Sequence, residues 1–248
     1  MEANRPNDDS YVERSIKSFK RALNISQGGD AFVWDPTITL IKYLENTSEF
    51  SSDAFTDARV LQLYAGTGLV GIVCALRGSQ LFFFFLFFFI TSSLFAHVVY
   101  CDCACVVDVV GARVTLTDKA ANLDVIRKNV DNNLDVKDRE RVSIKELSPE
   151  REDTLEELSK ERFDFVFLTD CTNDPNNYSP IIKYLNAMCD ERTTIILSHE
   201  LRERHELEFF EALLDNSFKY QKVPVNKLQL KYQSEDIGIF HIRKHKPE

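Results

Sequence analysis

Hydrophobic positions along this chain alternate between two rhythms. Short apolar runs look like buried strands, and the longer stretches between them carry apolar residues at helical spacing. Val60-Leu61-Gln62-Leu63 reads as a first strand covered on both faces. Tyr64-Ala65-Gly66-Thr67-Gly68 follows as a tight turn, and Leu69 to Leu76 continues as an apolar helix. Val114 to Asp118 reads as the second strand, and Leu123, Ile126, Val130 and Leu134 stripe the next helix. Val142 to Leu147 is the third strand and Arg151 to Lys160 a charged surface helix. Phe163 to Leu168 is the fourth strand, ending at Thr169-Asp170-Cys171. A helix over Ile181 to Met188, a fifth strand over Thr193 to Leu197 and a helix over His205 to Leu214 follow. Phe218 to Val223 and Ile237 to Ile242 close the chain as a strand pair, expected to be antiparallel.

The N-terminal part is less regular. Residues 1–13 read as a loose tail. Val12, Ile16, Phe19 and Leu23 have helical spacing, whereas Leu23-x-Ile25 alternates like a strand, so residues 14–27 stay undecided. Gly28-Gly29 marks a turn. Asp35 suits an N-cap and Pro36 a first helical position, ahead of a helix striped by Leu40, Ile41, Tyr43 and Leu44. Strands alternating with helices predict one α/β domain over residues 1–248, built on a doubly wound sheet.

One stretch breaks the pattern. Leu81 to Ile90 is almost pure phenylalanine, and apolar character runs on to Tyr100 before the Cys101-x-Cys103-x-Cys105 run. Its length matches a membrane span, about 20 residues. Yet a single pass would separate two neighbouring strands of one sheet. A metal site is disfavoured, because zinc cysteines are usually two to four apart and come with a second pair. The third reading is an insertion foreign to the fold over residues 79–111, of the kind a thymine-rich retained intron would encode. Spacing favours it. The acidic residue that closes the second strand of a nucleotide-binding βαβ unit lies roughly 20 residues after the glycines. Asp118 lies 118 − 66 = 52 positions after Gly66, and 52 − 33 = 19 once residues 79–111 are set aside.

Composition narrows the class. The 248 residues are 44% hydrophobic, enough for a sizeable core, and the net charge of −9 argues against nucleic-acid binding. The N-terminus has no apolar signal-peptide core. A cytoplasmic location, or a nuclear one, with reduced thiols is expected. The histidines show no metal-ligand pattern. Gly66-x-Gly68 by itself indicates a nucleotide-type cofactor over the turn, and its extension to Gly71 also fits a dinucleotide-binding dehydrogenase.

Further residues carry a resemblance. They are Val33-Trp34-Asp35 with Lys42 to Glu45, Ala65 to Gly71, Thr117-Asp118, Asp170-Cys171, and the tail Tyr232 to Ile237 with Ile242-Arg243-Lys244. The chain resembles class I S-adenosylmethionine-dependent methyltransferases, whose fold is a Rossmann-like seven-stranded sheet. More narrowly it is similar to the methyltransferase-like protein-lysine methyltransferases, and most to the branch that modifies valosin-containing protein. The resemblance implies S-adenosylmethionine as cofactor, and a protein substrate: valosin-containing protein or a related ATPase or chaperone. No nucleic acid, metal or membrane is implied. Trp34 would sit against the cofactor, and Tyr64, Ala65, Gly66 and Gly68 would form the turn under its methionine part. Asp118 would accept from the ribose hydroxyls, and Thr169 would line the transfer site. Asp170 and Asn173 take the catalytic positions, with Asp170 orienting the lysine amine or receiving its proton. Four positions depart from the family: Gln62 replaces Glu, Tyr64 replaces Gly, Pro149 replaces Trp and Asn173 replaces Tyr. These departures and the insertion leave a second reading, a methyltransferase-fold interaction protein without activity, or a retained-intron product.

Overall fold

The computed structural model describes residues 12–18, 21–46, 48–51, 53–77 and 111–246. The phenylalanine tract and the Cys-x-Cys-x-Cys run lie outside these residues. β1 (Val12–Ser18) and β2 (Arg21–Gln27) form an antiparallel pair of their own, with Ile16 opposite Leu23. The strand-like alternation of Leu23 and Ile25 therefore prevails over the helical spacing, and the first strand begins inside the stretch expected to be a loose tail. Next come α1 (Asp35–Leu44), β3 (Arg59–Gln62), α2 (Leu69–Arg77), β4 (Arg113–Asp118), α3 (Ala120–Asn133) and the short α4 (Val136–Arg139). Then follow β5 (Val142–Glu146), α5 (Glu152–Ser159), β6 (Phe165–Thr169), α6 (Tyr178–Met188), β7 (Thr194–Glu200), α7 (Leu207–Asp215), β8 (Phe218–Lys222) and β9 (Ile237–Lys244). Asp35 is the first residue of α1 rather than its cap. Trp34 holds the cap position and makes no side-chain capping bond, because an indole has no acceptor for a backbone N–H, while Pro36 presets the first turn.

Seven strands make one mixed sheet in the order β5-β4-β3-β6-β7-β9-β8. β3 runs parallel to both β4 and β6, while β9 is antiparallel to β7 and β8. The doubly wound sheet and its antiparallel C-terminal pair are as expected. Alternation along the strands splits the core between two faces. Val60, Phe167 and Ile196 join α1, α2 and α3 on one side. Leu61, Val166, Leu168, Ile195 and Leu197 join α5, α6 and α7 on the other. The chain leaves β3 towards β4 and β5, then returns to β6 on β3's other side. A crevice opens where the winding reverses, at the carboxyl ends of β3, β4 and β6.

Residues on either side of the proposed insertion meet. Ala112 N donates to Cys74 O at 3.2 Å, and Arg141 Nη2 donates to Gly111 O at 2.9 Å. All strands of the described sheet lie outside residues 79–111. The end of α2 and the start of β4 thus lie side by side. Joining Gly78 directly to Ala112 should therefore keep a cooperative thermal transition and an unchanged far-ultraviolet dichroism spectrum. Loss of the cooperative transition would show the insertion to be part of the fold.

Candidate functional site

The crevice holds a cavity of about 590 Å³, within the range of small-molecule and cofactor sites. Trp34, Tyr64, Ala65, Gly66, Asp118, Thr169, Asp170 and Asn173 all border it. Of the residues singled out from sequence, only Gly68 stands back. A Cβ there would lie 3.2 Å from both Ile126 and Leu116, so Gly68 lets the turn pack against α3 and β4 rather than touching a ligand.

The turn needs three residues in the left-handed region: Tyr64 (φ 51°), Gly66 (φ 56°) and Gly68 (φ 75°). Glycine adopts this freely, whereas a side chain there costs about 1–2 kcal/mol. Tyr64 accepts that strain while its ring packs on the cluster around α6, and burial raises its phenol pKa. Several main-chain donors of the turn are taken up internally. Ala65 N donates to Thr117 O at 2.9 Å, Gly66 N to Asp118 Oδ2 at 2.7 Å, and Gly71 N to Gln62 Oε1 at 2.9 Å. Gln62 is fully buried. Its neutral amide holds the first turn of α2 without placing a charge in the core.

Asp118 is the hub. Oδ1 accepts from Lys119 N at 2.8 Å and from Asn122 Nδ2 at 2.9 Å, while Oδ2 accepts from Gly66 N. Burial raises its pKa, and these three donors oppose the rise. A carboxylate can accept about four hydrogen bonds, so Oδ2 keeps room for one ligand hydroxyl. Asp30, paired with Lys119 Nζ, borders the same side.

Asn129, fully buried on α3, was not singled out from sequence. Its amide donates to Thr67 O and to Ser26 O, both at 2.9 Å, and its Oδ1 accepts from Ser26 N at 2.7 Å. One side chain thus ties the glycine turn to the β1–β2 pair. That pair leads into residues 28–34, which bring Phe32 and Trp34 to the cavity. Trp34 is 37% exposed, with its ring edge-on to Phe32. It is an aromatic wall rather than a core anchor.

At the opposite side Asp170 also has a left-handed backbone (φ 48°). Arg202 grips its carboxylate with two bonds, Nη1 to Oδ1 at 3.2 Å and Nη2 to Oδ2 at 2.9 Å. Nη2 also reaches Glu200 Oε2 at 2.6 Å, and the guanidinium lies 5.7 Å from the Trp34 ring centre. Of the two roles expected for Asp170, orienting the lysine amine or receiving its proton, this two-point grip favours the first. A bidentate guanidinium fixes a carboxylate in position and orientation. Behind it, Thr172 Oγ1 and His199 Nδ1 are 2.9 Å apart, and His199 Nε2 lies 2.7 Å from Glu206, off the line of a good hydrogen bond. Burial lowers the His199 pKa and Glu206 opposes it. Burial also raises the thiol pKa of Cys171. Asn173 borders the cavity from the exposed loop after β6.

This arrangement offers no seat for a diphosphate. Leu69 and Val70 at the start of α2 are buried away from the cavity. The cavity instead collects Asp30, Asp118, Asp170 and Asp174, with Lys119 the only lysine or arginine on its wall among the described residues. It suits a ligand with ribose-type hydroxyls, a flat aromatic part and positive charge. Among the described residues no group of His, Cys, Asp or Glu could hold a metal, and no helix is long and apolar enough to cross a membrane.

Comparison with known proteins agrees. A family model described as lysine methyltransferase matches residues 18–83 and 102–216, well over half of the chain. Protein N-lysine methyltransferase METTL21A of Mus musculus is 26% identical over 218 residues, covering 85% of this chain and 82% of that protein. EEF1A lysine methyltransferase 3 of Xenopus tropicalis is 27% identical over 245 residues, covering 96% and 88%. The solved structure of Aeropyrum pernix fibrillarin with natively bound S-adenosyl-L-methionine shares the fold, with a TM-score of 0.52 and 12% identity over 96% of this chain and 85% of that one.

Gln62 gives the local test of the turn. Gln62→Ala strips the acceptor from a buried Gly71 N–H and should lower unfolding free energy by about 2–3 kcal/mol in urea denaturation. An unchanged midpoint would show that the amide does not hold the turn.

Proposed function

This chain belongs to the lysine methyltransferase family, and from that premise we propose that the cavity at the ends of β3, β4 and β6 presents the methyl group of S-adenosylmethionine to a protein lysine beside Asp170. S-adenosylmethionine supplies an electrophilic methyl on a sulfonium centre. The observation that carries the reading is the cavity's own chemistry: acidic groups and an exposed indole around a turn with no phosphate seat. The residues fit that cofactor. Asp118 has one acceptor position left for a ribose hydroxyl, Trp34 walls the cavity, and Tyr64, Ala65, Gly66 and Thr169 lie along its floor.

The chain's residues act mainly by position. Lysine is almost wholly protonated at neutral pH, so the site must strip water from the amine or take its proton. Asp170 and Glu200 attract the cationic head and orient it. The proton passes from the seated amine to solvent. Holding amine and methyl in line supplies most of the remaining acceleration. The net charge of −9 favours a protein substrate over a nucleic acid. For its identity we propose valosin-containing protein or a related ATPase. Support comes from the branch-like tail, whose Asp236 O accepts from Leu201 N at 2.9 Å beside Arg202. The buried free thiols Cys74, Cys171 and Cys189 support the cytoplasm or nucleus as the compartment.

The test is transfer of labelled methyl to purified valosin-containing protein, with elongation factor 1A in parallel. Tyr64→Gly relieves the left-handed strain and opens the turn, and Asn173→Tyr adds an aromatic wall. Together they should raise transfer about tenfold, roughly 1.4 kcal/mol of barrier, whereas Asp170→Ala should abolish it. If folded protein and both variants bind no S-adenosylmethionine by calorimetry, the interaction-protein reading replaces the enzyme.

Acidity gives a separate check. Only the ionised Asp118 keeps its spare acceptor, and burial lifts its pKa above the ordinary aspartate value. Cofactor affinity should hold at neutral pH and fall on acidification, starting at a higher pH than an exposed aspartate would give. Asp118→Asn should bind more weakly and lose this dependence. A wild-type profile flat down to pH about 4, the ordinary range of an aspartate, would remove Asp118 from the site.

A further inference from the structure

The Arg202 side chain sits where a substrate cation belongs. Its guanidinium lies between Asp170 and Glu200 and 5.7 Å from the centre of the Trp34 ring. Two carboxylates and an indole face are the groups that bind an alkylammonium head. Asp170 borders the cavity, yet its side chain is only 2% exposed, with Arg202 lying over it. Arg202 is itself 32% exposed and so can leave towards solvent. The backbone carrying it is tied down: Arg202 N donates to Glu206 Oε2 at 3.1 Å, and Leu201 N to Asp236 O. Exchange therefore needs rotation of one side chain and no loop opening.

We propose that Arg202 is a resident stand-in for the substrate lysine: it fills a cation cage of Trp34, Asp170 and Glu200, and the incoming ammonium displaces it. This rests on the lysine methyltransferase reading and adds a specificity-determining residue to it. Arg202 sets a threshold for substrate, since a side chain that cannot replace a bidentate guanidinium stays outside. It also keeps the buried Asp170 neutralised while no substrate is present. A purely structural role would share that last property, but it predicts no new cation site when Arg202 is removed.

The chain has a single tryptophan, Trp34, so its fluorescence reports the cage directly. The full-length wild type, Arg202→Ala and Arg202→Lys would be titrated with n-butylammonium at constant ionic strength, with sodium as the control cation. Arg202→Ala should bind n-butylammonium about tenfold more tightly than wild type, as when a competitor filling roughly nine-tenths of the sites is removed. Methylguanidinium should compete for the same site. Arg202→Lys should fall between, because a single ammonium loses the bidentate grip. A folded Arg202→Ala protein with wild-type affinity overturns the proposal. Should that variant fail to show a thermal transition, Arg202→Lys decides: tighter binding than wild type supports the cage, and equal binding overturns it. Calorimetry with S-adenosylmethionine on the same preparations separates the two readings. Cofactor binding with no cation exchange sinks the cage alone. Cation exchange with no cofactor binding sinks the methyltransferase site alone.

Discussion

The turn between β3 and α2 must reverse the chain at the end of a buried strand without leaving main-chain groups unpaired. Buried N–H and C=O groups without partners cost roughly 1–3 kcal/mol each, so this constraint shapes everything near the cavity. Thr117 O, Asp118, Gln62 and Asn129 meet it, and they come from three different elements. Each thereby fixes a neighbour. Asp118 locks the end of β4 to Gly66, Gln62 locks β3 to α2, and Asn129 locks α3 to both the turn and β2. The cavity wall from Asp30 to Trp34 hangs on the last of these links. The site is rigid because the turn has to be satisfied, and its chemistry follows from which atoms remain. The N–H groups of Ala65, Gly66, Gly68 and Gly71 are consumed, and carboxylate acceptors and an indole line the cavity.

Those remaining groups give the cavity a negative character that has to be balanced when no ligand is present. Lys119 does this on the side of Asp30, and Arg202 does it on the side of Asp170. The two cations differ in consequence. Lys119 stands on the strand-end segment after β4, so the charge near the ribose-type acceptor is fixed by local chain geometry. Arg202 reaches over from the segment after β7 to a carboxylate on a different strand end. On the proposal above, that second balance is the one a substrate cation replaces.

The sheet and its winding were legible because buried strands and helices carry different periods. Val166 and Leu168 face α6 while Phe167 faces α1, and such runs leave little ambiguity. The N-terminal hairpin was not legible, because Val12, Ile16 and Leu23 satisfy a helical period as well as a strand one. At the site, Trp34, the turn, Asp118, Thr169 and Asp170 were visible as types at strand ends. Their partners were not. Asn129 looks like a polar residue on a helix, and only packing against β2 and Thr67 makes it a tie. Arg202 lies 32 residues from Asp170, and nothing in that spacing shows that β6 and β7 are neighbours bringing the two together. Pairings across strands depend on register, which a single sequence does not state.

The four departures from the family pattern weigh differently once placed. Gln62 keeps the Gly71 N–H bonded and avoids a buried charge, so it is a substitution that preserves its function. Pro149 still borders the cavity and narrows what can stack there. Tyr64 is the costly one: it holds a left-handed backbone, and its strain is offset by burial of its ring against the α6 cluster. Glycine would remove the strain and that packing together. Asn173 changes the exposed loop that follows Asp170 and borders the cavity. Gln62 and Tyr64 are thus compensated by hydrogen bonding or packing, while Pro149 and Asn173 change the cavity border itself. Turnover and substrate choice, rather than cofactor retention, are where this chain should differ most from its relatives.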